Sequence, residues 1–349
     1  MHLIAYGGTK PVTFQRAICE SQALEPGITG TFTIDAYQAL VQHVGCDDAD
    51  LHSDETVECL RGLDTQTLLD AAIATKFDDL GHNIGDIWLP VVDGDFLPAA
   101  PSELIKEGKF AKVPTMIGWT DDDLNVYMPL NTTTAEDTHD TISSYIREVT
   151  SENIDTLLSL YPVSDFSGRE NEVASAEFFR SGRIVRDIIM ACEPIWYAQH
   201  LAHHGNEEVY LIDWNQTVVE PLLEESTGAP GLGPVHTAEF AYIFGNVSVY
   251  DISNVFEPTP EDFALAQRGS RSWSTFANTG NPTLDGHDTF KDFGPAIQGR
   301  DVYIFVAGGP DEGLSAIDGP HSASGLRAEK LRERCDFINS DEMIGQLGF

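Results

Sequence analysis

The sequence predicts an α/β fold built around a mostly parallel sheet. Several short apolar runs lack polar alternation, the habit of strands buried on both faces. Helical stretches lie between those runs, and no composition break divides the 349 residues. That length permits one large α/β domain or two ordinary ones. The unbroken alternation favours a single domain over residues 1–349.

In chain order the strand candidates are 16–20 (RAICE), 113–118 (VPTMIG), 209–213 (VYLID) and 302–306 (VYIFV). A helix is predicted over 65–74, with apolar residues at Leu68, Leu69 and Ile73. A longer amphipathic pattern covers 175–202, with a break expected near Pro194. The best-marked helix covers 260–278. Thr259 suits the N-cap, Pro260 the first helical position, and Asp262 the positive end of the macrodipole. Phe263, Ala266, Trp273, Phe276 and Ala277 are expected on one face, and Gly280 supplies a left-handed stop.

Composition limits the function. Hydrophobic residues make up 42% of the chain, enough for a substantial core, and the formal charge is -36. Such a field repels phosphate backbones and anionic lipid, so no nucleic-acid partner is expected. No run approaches the ~18 apolar residues of a membrane span. The start MHLIAYGGTKPVTFQRA does not read as a secretory signal: it lacks a basic n-region, and Gly7-Gly8 interrupts its short apolar run. Three glycosylation sequons begin at Asn131, Asn215 and Asn246, while proline excludes the one at Asn281. Cys19, Cys46, Cys59, Cys192 and Cys335 show neither CxxC nor zinc spacing. They read as buried thiols, or as two disulfides plus an odd cysteine. No metal and no organic cofactor is implied, and oligomeric state is not legible.

Two stretches carry candidate chemistry. In 113–127, VPTMIGWTDDDLNVY, a strand emerges into Asp121, Asp122 and Asp123. Functional residues of open α/β sheets gather beyond the carboxyl ends of strands. In 232–246, LGPVHTAEFAYIFGN, His236 stands in a Gly/Pro turn. Acid precedes histidine, the order of an α/β-hydrolase triad after its serine. Taken separately, the aspartates read as a solvated loop and His236 as a surface or packing residue. Phe240, Tyr242 and Phe244 read as core; Trp119 faces either the site or the sheet.

Together with other blocks, these stretches resemble the type-B carboxylesterase, lipase and cholinesterase family. PVVDGDFLPAAPSELIKEGKFAKVPTMIGWTDDD is similar to the family's run "PVVDGxFLPxxPxELLxxGxFxxVPxLIGxxxDEG", which leads to the catalytic acid. LGPVHTAEFAYIFGN resembles its histidine block, SWSTFANTGNP its "WxxFAxTGxPN", and RERCDFINS its "ERCxFW". The blocks are collinear over nearly the whole chain. The resemblance implies an α/β-hydrolase fold and hydrolysis of a small-molecule or lipid ester without a cofactor. It places Asp123 at the acid position, where glutamate is usual, with Asp122 matching the preceding aspartate and Leu124 replacing a glycine. Asp123 would hold one imidazole tautomer, and His236 would act as general base, then general acid. It also implies Cys46–Cys59 and Cys192–Cys335 disulfides, with Cys19 a buried thiol, and an extracellular location.

The family's nucleophile lies in a GESAG elbow just before a segment like HLIAYGG. No G-x-S-x-G occurs in these 349 residues. The nearest imitation, at Ser226, lacks the first glycine and follows the acid, so it is a poor nucleophile candidate. The Gly-rich oxyanion loop and early strands would also lie upstream. The chain is therefore expected to match the C-terminal two-thirds of a family member, a truncated α/β-hydrolase fold, inactive by itself. Two readings stand: an ester hydrolase whose serine lies outside these residues, or a non-catalytic binding protein of esterase-like fold.

Overall fold

Among the described residues six strands form one sheet in the order β1-β2-β3-β5-β4, with β6 paired to β5. The strands are β1 (Ala17–Glu20), β2 (Thr115–Thr120), β3 (Val209–Trp214), β4 (Ile297–Gln298), β5 (Asp301–Ala307) and β6 (Gly313–Ala316). The computed structural model describes residues 1–23, 25–78, 87–249 and 251–349. β1, β2, β3 and β5 run parallel; β4 and β6 pair with β5 antiparallel.

The four strands read from the sequence are all present. β2 starts two residues later than its apolar run because Pro114 has no N–H for a ladder flanked on both sides. Every residue of β2 and β3 is buried. Ile117, Trp119, Val209 and Leu211 enter one core; Met116, Tyr210, Ile212 and Trp214 enter the other. This alternation explains the unbroken apolar runs: both faces are covered. It also turns Trp119 to the sheet's own core.

The helix Pro260–Thr279 covers the second core. Thr259 and Asp262 form a reciprocal capping box, and Gly280 ends the helix at φ 87°. Its buried face is Asp262, Leu265, Ala266, Gly269, Ser272, Trp273 and Phe276. Phe263 and Ala277 are exposed, against expectation. Each lies one residue beyond a buried position, about 100° around the helix. Gly269 is required for packing: a Cβ there would stand 2.9 Å from the Trp214 ring.

Other expectations change. The helix Thr65–Asp78 forms, but Leu68, Leu69 and Ile73 face solvent while Ala71 and Thr75 are buried. Small residues let it pack closely on the helix Phe32–His43. The 175–202 pattern divides into helices Ala176–Arg186 and Cys192–His203, joined by a π-turn at Asp187–Ala191. The irregularity precedes Pro194 and lies in the π-turn, just upstream of the residue that cannot donate to the helix ladder. Tyr242 is core, Phe240 is half-buried, and Phe244 is 66% exposed.

Disulfides join Cys46 to Cys59 and Cys192 to Cys335, and Cys19 is free. The second ties the helix Cys192–His203 to the helix Leu331–Ile338. The bridges span 13 and 143 residues, so chain entropy assigns them about 3 and about 5 kcal/mol. The Cys192→Ser/Cys335→Ser double variant should therefore lose about 2 kcal/mol more than Cys46→Ser/Cys59→Ser in denaturant titrations. An equal or reversed loss would contradict the chain-entropy account.

Candidate active site

β2 ends at Thr120, and the chain turns at once through Asp121, Asp122 and Asp123. Backbone bonds fasten this turn to the histidine loop. Asp122 N–H donates to Pro234 O at 3.1 Å, and His236 N–H donates to Asp123 O at 3.0 Å. The approach is tight enough to demand glycine at 233. It has φ 80°, and a Cβ there would meet Asp122 Oδ2 at 2.0 Å.

Asp123 is fully buried. Its Oδ1 lies 2.6 Å from His236 Nδ1. Its Oδ2 accepts from Ser21 Oγ at 2.7 Å and from Thr120 N–H at 2.9 Å. Both oxygens are thus committed, and Nδ1–H is the tautomer that suits the carboxylate. Aspartate reaches the imidazole despite being one methylene shorter than glutamate. The His236 side chain is 28% exposed, and Nε2 has no hydrogen-bond partner among the described residues. The hydrogen bond to Asp123 raises its pKa above 6.5, against the opposing effect of burial.

Asp121 and Asp122 are not solvated, unlike the loop their run suggests. Asp122 takes a bidentate pair from Arg169 at 2.8 and 2.9 Å. Asp121 accepts from Arg183 at 3.1 and 3.2 Å. Ser226 lies in the last turn of the exposed helix Glu220–Thr227, its hydroxyl on Leu223 O at 3.1 Å, not on a strand-to-helix elbow. Asn131 and Asn246 are exposed, as a glycan requires; Asn215 is half-buried.

Three side chains near the pair were not singled out from sequence. Ser21 follows β1 at φ 45°, a left-handed conformation that turns the chain as it leaves the strand. Glu239 follows His236 by three residues and is buried, which pushes its pKa up to about 7. Glu20 ends β1, accepts from Trp273 Nε1 at 2.9 Å, and is raised well above the usual carboxylate range by burial. The strand-end rule applied to 16–20 would have flagged Glu20 and Ser21.

The pair's electrostatics can be tested directly. His236 has a raised folded pKa, so its protonated form favours the fold. That stability is fully present below the ordinary value of 6.5 and is lost as pH rises through the raised value. In an imidazole NMR titration, Asp123→Asn should lower the His236 pKa, because it removes the hydrogen-bonded carboxylate that raises it most and leaves burial opposing the charge. Asp122→Asn, which removes a partner of Arg169, should leave it unchanged. The reverse pattern would assign the acid to the wrong aspartate.

The carboxylesterase family model matches residues 2–302. A secreted lipase of Arthroderma benhamiae is 48% identical over 353 residues, covering 100% of this chain and 61% of its own length. An inactive carboxylesterase-like protein of Byssochlamys spectabilis is 28% identical over 94% of this chain and 58% of its own. The crystal structure of Aspergillus niger EstA has a TM-score of 0.79 at 21% identity, covering 100% of this chain and 62% of that one. The chain thus spans about 60% of the length of these relatives. The sheet with helices on both faces is the α/β-hydrolase fold. With a model match that takes in most of its residues, this chain belongs to the carboxylesterase family.

Proposed function

We propose that Asp123 and His236 are the acid and base of a Ser-His-Asp ester hydrolase, with a serine from outside these 349 residues. One observation carries the reading: a fully buried carboxylate holds Nδ1 of an imidazole at 2.6 Å, and Nε2 has no partner among the described residues. In the first half-reaction Nε2 removes the proton of the attacking serine. Asp123 keeps the ring oriented and stabilises the imidazolium. His236 then gives the proton to the departing alcohol, and water repeats the sequence on the acyl-enzyme. Ser21 is a positioning residue, since its hydroxyl fixes the far oxygen of Asp123.

Substrates are carboxylic esters, small or lipid. The name of the Arthroderma benhamiae relative, a secreted lipase, supports an ester substrate and an extracellular location. Two disulfides suit an oxidising compartment. Asn131 and Asn246 are the better-exposed glycan acceptors. Among the described residues no helix is long and apolar enough to cross a membrane. A second reading, a non-catalytic esterase-like binding protein, is favoured by the missing G-x-S-x-G and by the relative named as inactive.

The 349-residue chain should hydrolyse p-nitrophenyl butyrate no faster than its His236→Ala variant. Joined to the N-terminal segment of the Arthroderma benhamiae lipase, it should gain activity that rises with pH as His236 deprotonates. Asp123→Asn should then cost about 10⁴-fold in turnover. A folded joined protein that stays inert would favour the binding reading. Fluorophosphonate labelling of a serine in the chain alone would reject the external nucleophile.

A further inference from the structure

Behind the acid turn a second group of carboxylates converges. Asp121 follows β2, Asp213 lies in β3, and Glu329 caps the helix Ser324–Ala328. Each offers an oxygen within 4.8 Å of the other two. Asp213 is 1% exposed, and its Oδ1 is buried with no hydrogen-bond partner among the described residues. Arg183 and Arg186 pair with Asp121 at 3.1 and 3.4 Å, and with Glu329 at 2.9 and 2.7 Å. Among the described residues Asp213 has no ion pair.

The charges around this point do not balance. Asp121, Asp122, Asp187, Asp213 and Glu329 face Arg169, Arg183 and Arg186. That leaves two negative charges unmatched in a largely buried cluster, where an uncompensated charge is costly. One proton on Asp213 would offset one charge; one divalent ion offsets both. The spacing fits an ion, since oxygens within 4.8 Å of one another can surround a centre whose bonds to oxygen run about 2.3–2.6 Å. A cavity of about 310 Å³, lined by Asp121, Glu329, Asn215, Arg183 and Arg334, lies beside two of the three carboxylates; Asp213 is not among its lining residues. The donors are all oxygen, which selects a hard cation.

We propose that Asp121, Asp213 and Glu329 bind a hard divalent cation of the calcium class. The ion would fasten the ends of β2 and β3 to the C-terminal part of the chain, two residues before Asp123. The site does not depend on the ester chemistry, and its test reads metal, not turnover.

Tb³⁺ serves as the calcium probe on the purified 349-residue chain. Trp214 adjoins Asp213 and Trp119 lies two residues before Asp121, so tryptophan excitation should sensitise the bound ion. Saturable luminescence is expected, displaced by Ca²⁺ with a Kd of about 10⁻⁴–10⁻³ M. Asp213→Asn removes a ligand and breaks no ion pair, and should weaken binding at least about tenfold. Asp318→Asn, at a separate carboxylate paired with Arg332, should leave binding unchanged. Ca²⁺ should also raise the melting temperature of the unmutated chain, an outcome independent of whether variants fold. Absence of saturable luminescence overturns the proposal. So does a signal that Asp213→Asn leaves intact, which would assign it to the general negative charge, or a melting temperature indifferent to Ca²⁺.

Discussion

A carboxylate held fully out of water must be met by donors, and Asp123 draws its donors from three parts of the chain. Ser21 comes from the end of β1, the Thr120 amide from β2, and His236 from a loop more than a hundred residues later. Each missing donor would leave a buried lone pair unmet, at about 1–3 kcal/mol. The neighbouring geometry follows from this requirement. β1 must run parallel beside β2 to deliver Ser21 at the right end, and Glu20 does pair with Gly118. The histidine loop must lie against the acid turn, hence the two backbone bonds between them and the glycine at 233.

The acidic composition has a different consequence inside the fold than outside it. The chain has 20 basic residues against 56 acidic ones, yet Arg169, Arg183 and Arg186 stand around the acid turn, with Arg183 and Arg186 buried. Buried ion pairs seldom add net stability over a well-packed apolar core, because desolvation consumes most of the Coulomb energy. They do penalise misplacement, since removing either partner leaves a bare charge. The arginines therefore hold the acid turn in one arrangement. Asp187, bonded to Arg186 and to Tyr161 Oη at 2.6 Å, extends that restraint to the π-turn between the two long helices.

What could be read from the sequence divides along a physical line. β3 and β5 were legible because burial on both faces leaves a local trace, an unbroken apolar run. The helix Pro260–Thr279 was legible because its caps lie within three residues of its ends. Helix faces were less so: Leu69 and Ile73 look inward on a helical wheel, but the partner helix is close enough that Ala71 and Thr75 take that side. Asp123 and His236 stand out in the sequence through strand-end position and family resemblance, not through spacing alone, and their roles are those proposed above. Ser21, Glu20 and Glu239 escaped because their roles arise from tertiary approach. The carboxylate cluster at 121, 213 and 329 lies beyond any spacing rule, since its members come from segments far apart in sequence.

The run Asp121-Asp122-Asp123 shows how a sheet's carboxyl edge converts uniform sequence into distinct chemistry. Three identical side chains on one tight turn must point in different directions, because successive residues of a turn rotate about the backbone. Asp121 meets Arg183 and Arg186, Asp122 meets Arg169 over Gly233, and Asp123 meets Ser21 and His236. The first two are matched by guanidiniums, which anchors the turn. That anchoring leaves the third paired with His236, whose Nε2 has no hydrogen-bond partner among the described residues. A carboxylate shared with an arginine would polarise the imidazole less, because the guanidinium would take part of its charge. The division of partners among the three residues, more than the identity of any one, is what would suit Asp123 to the proposed role of orienting a base.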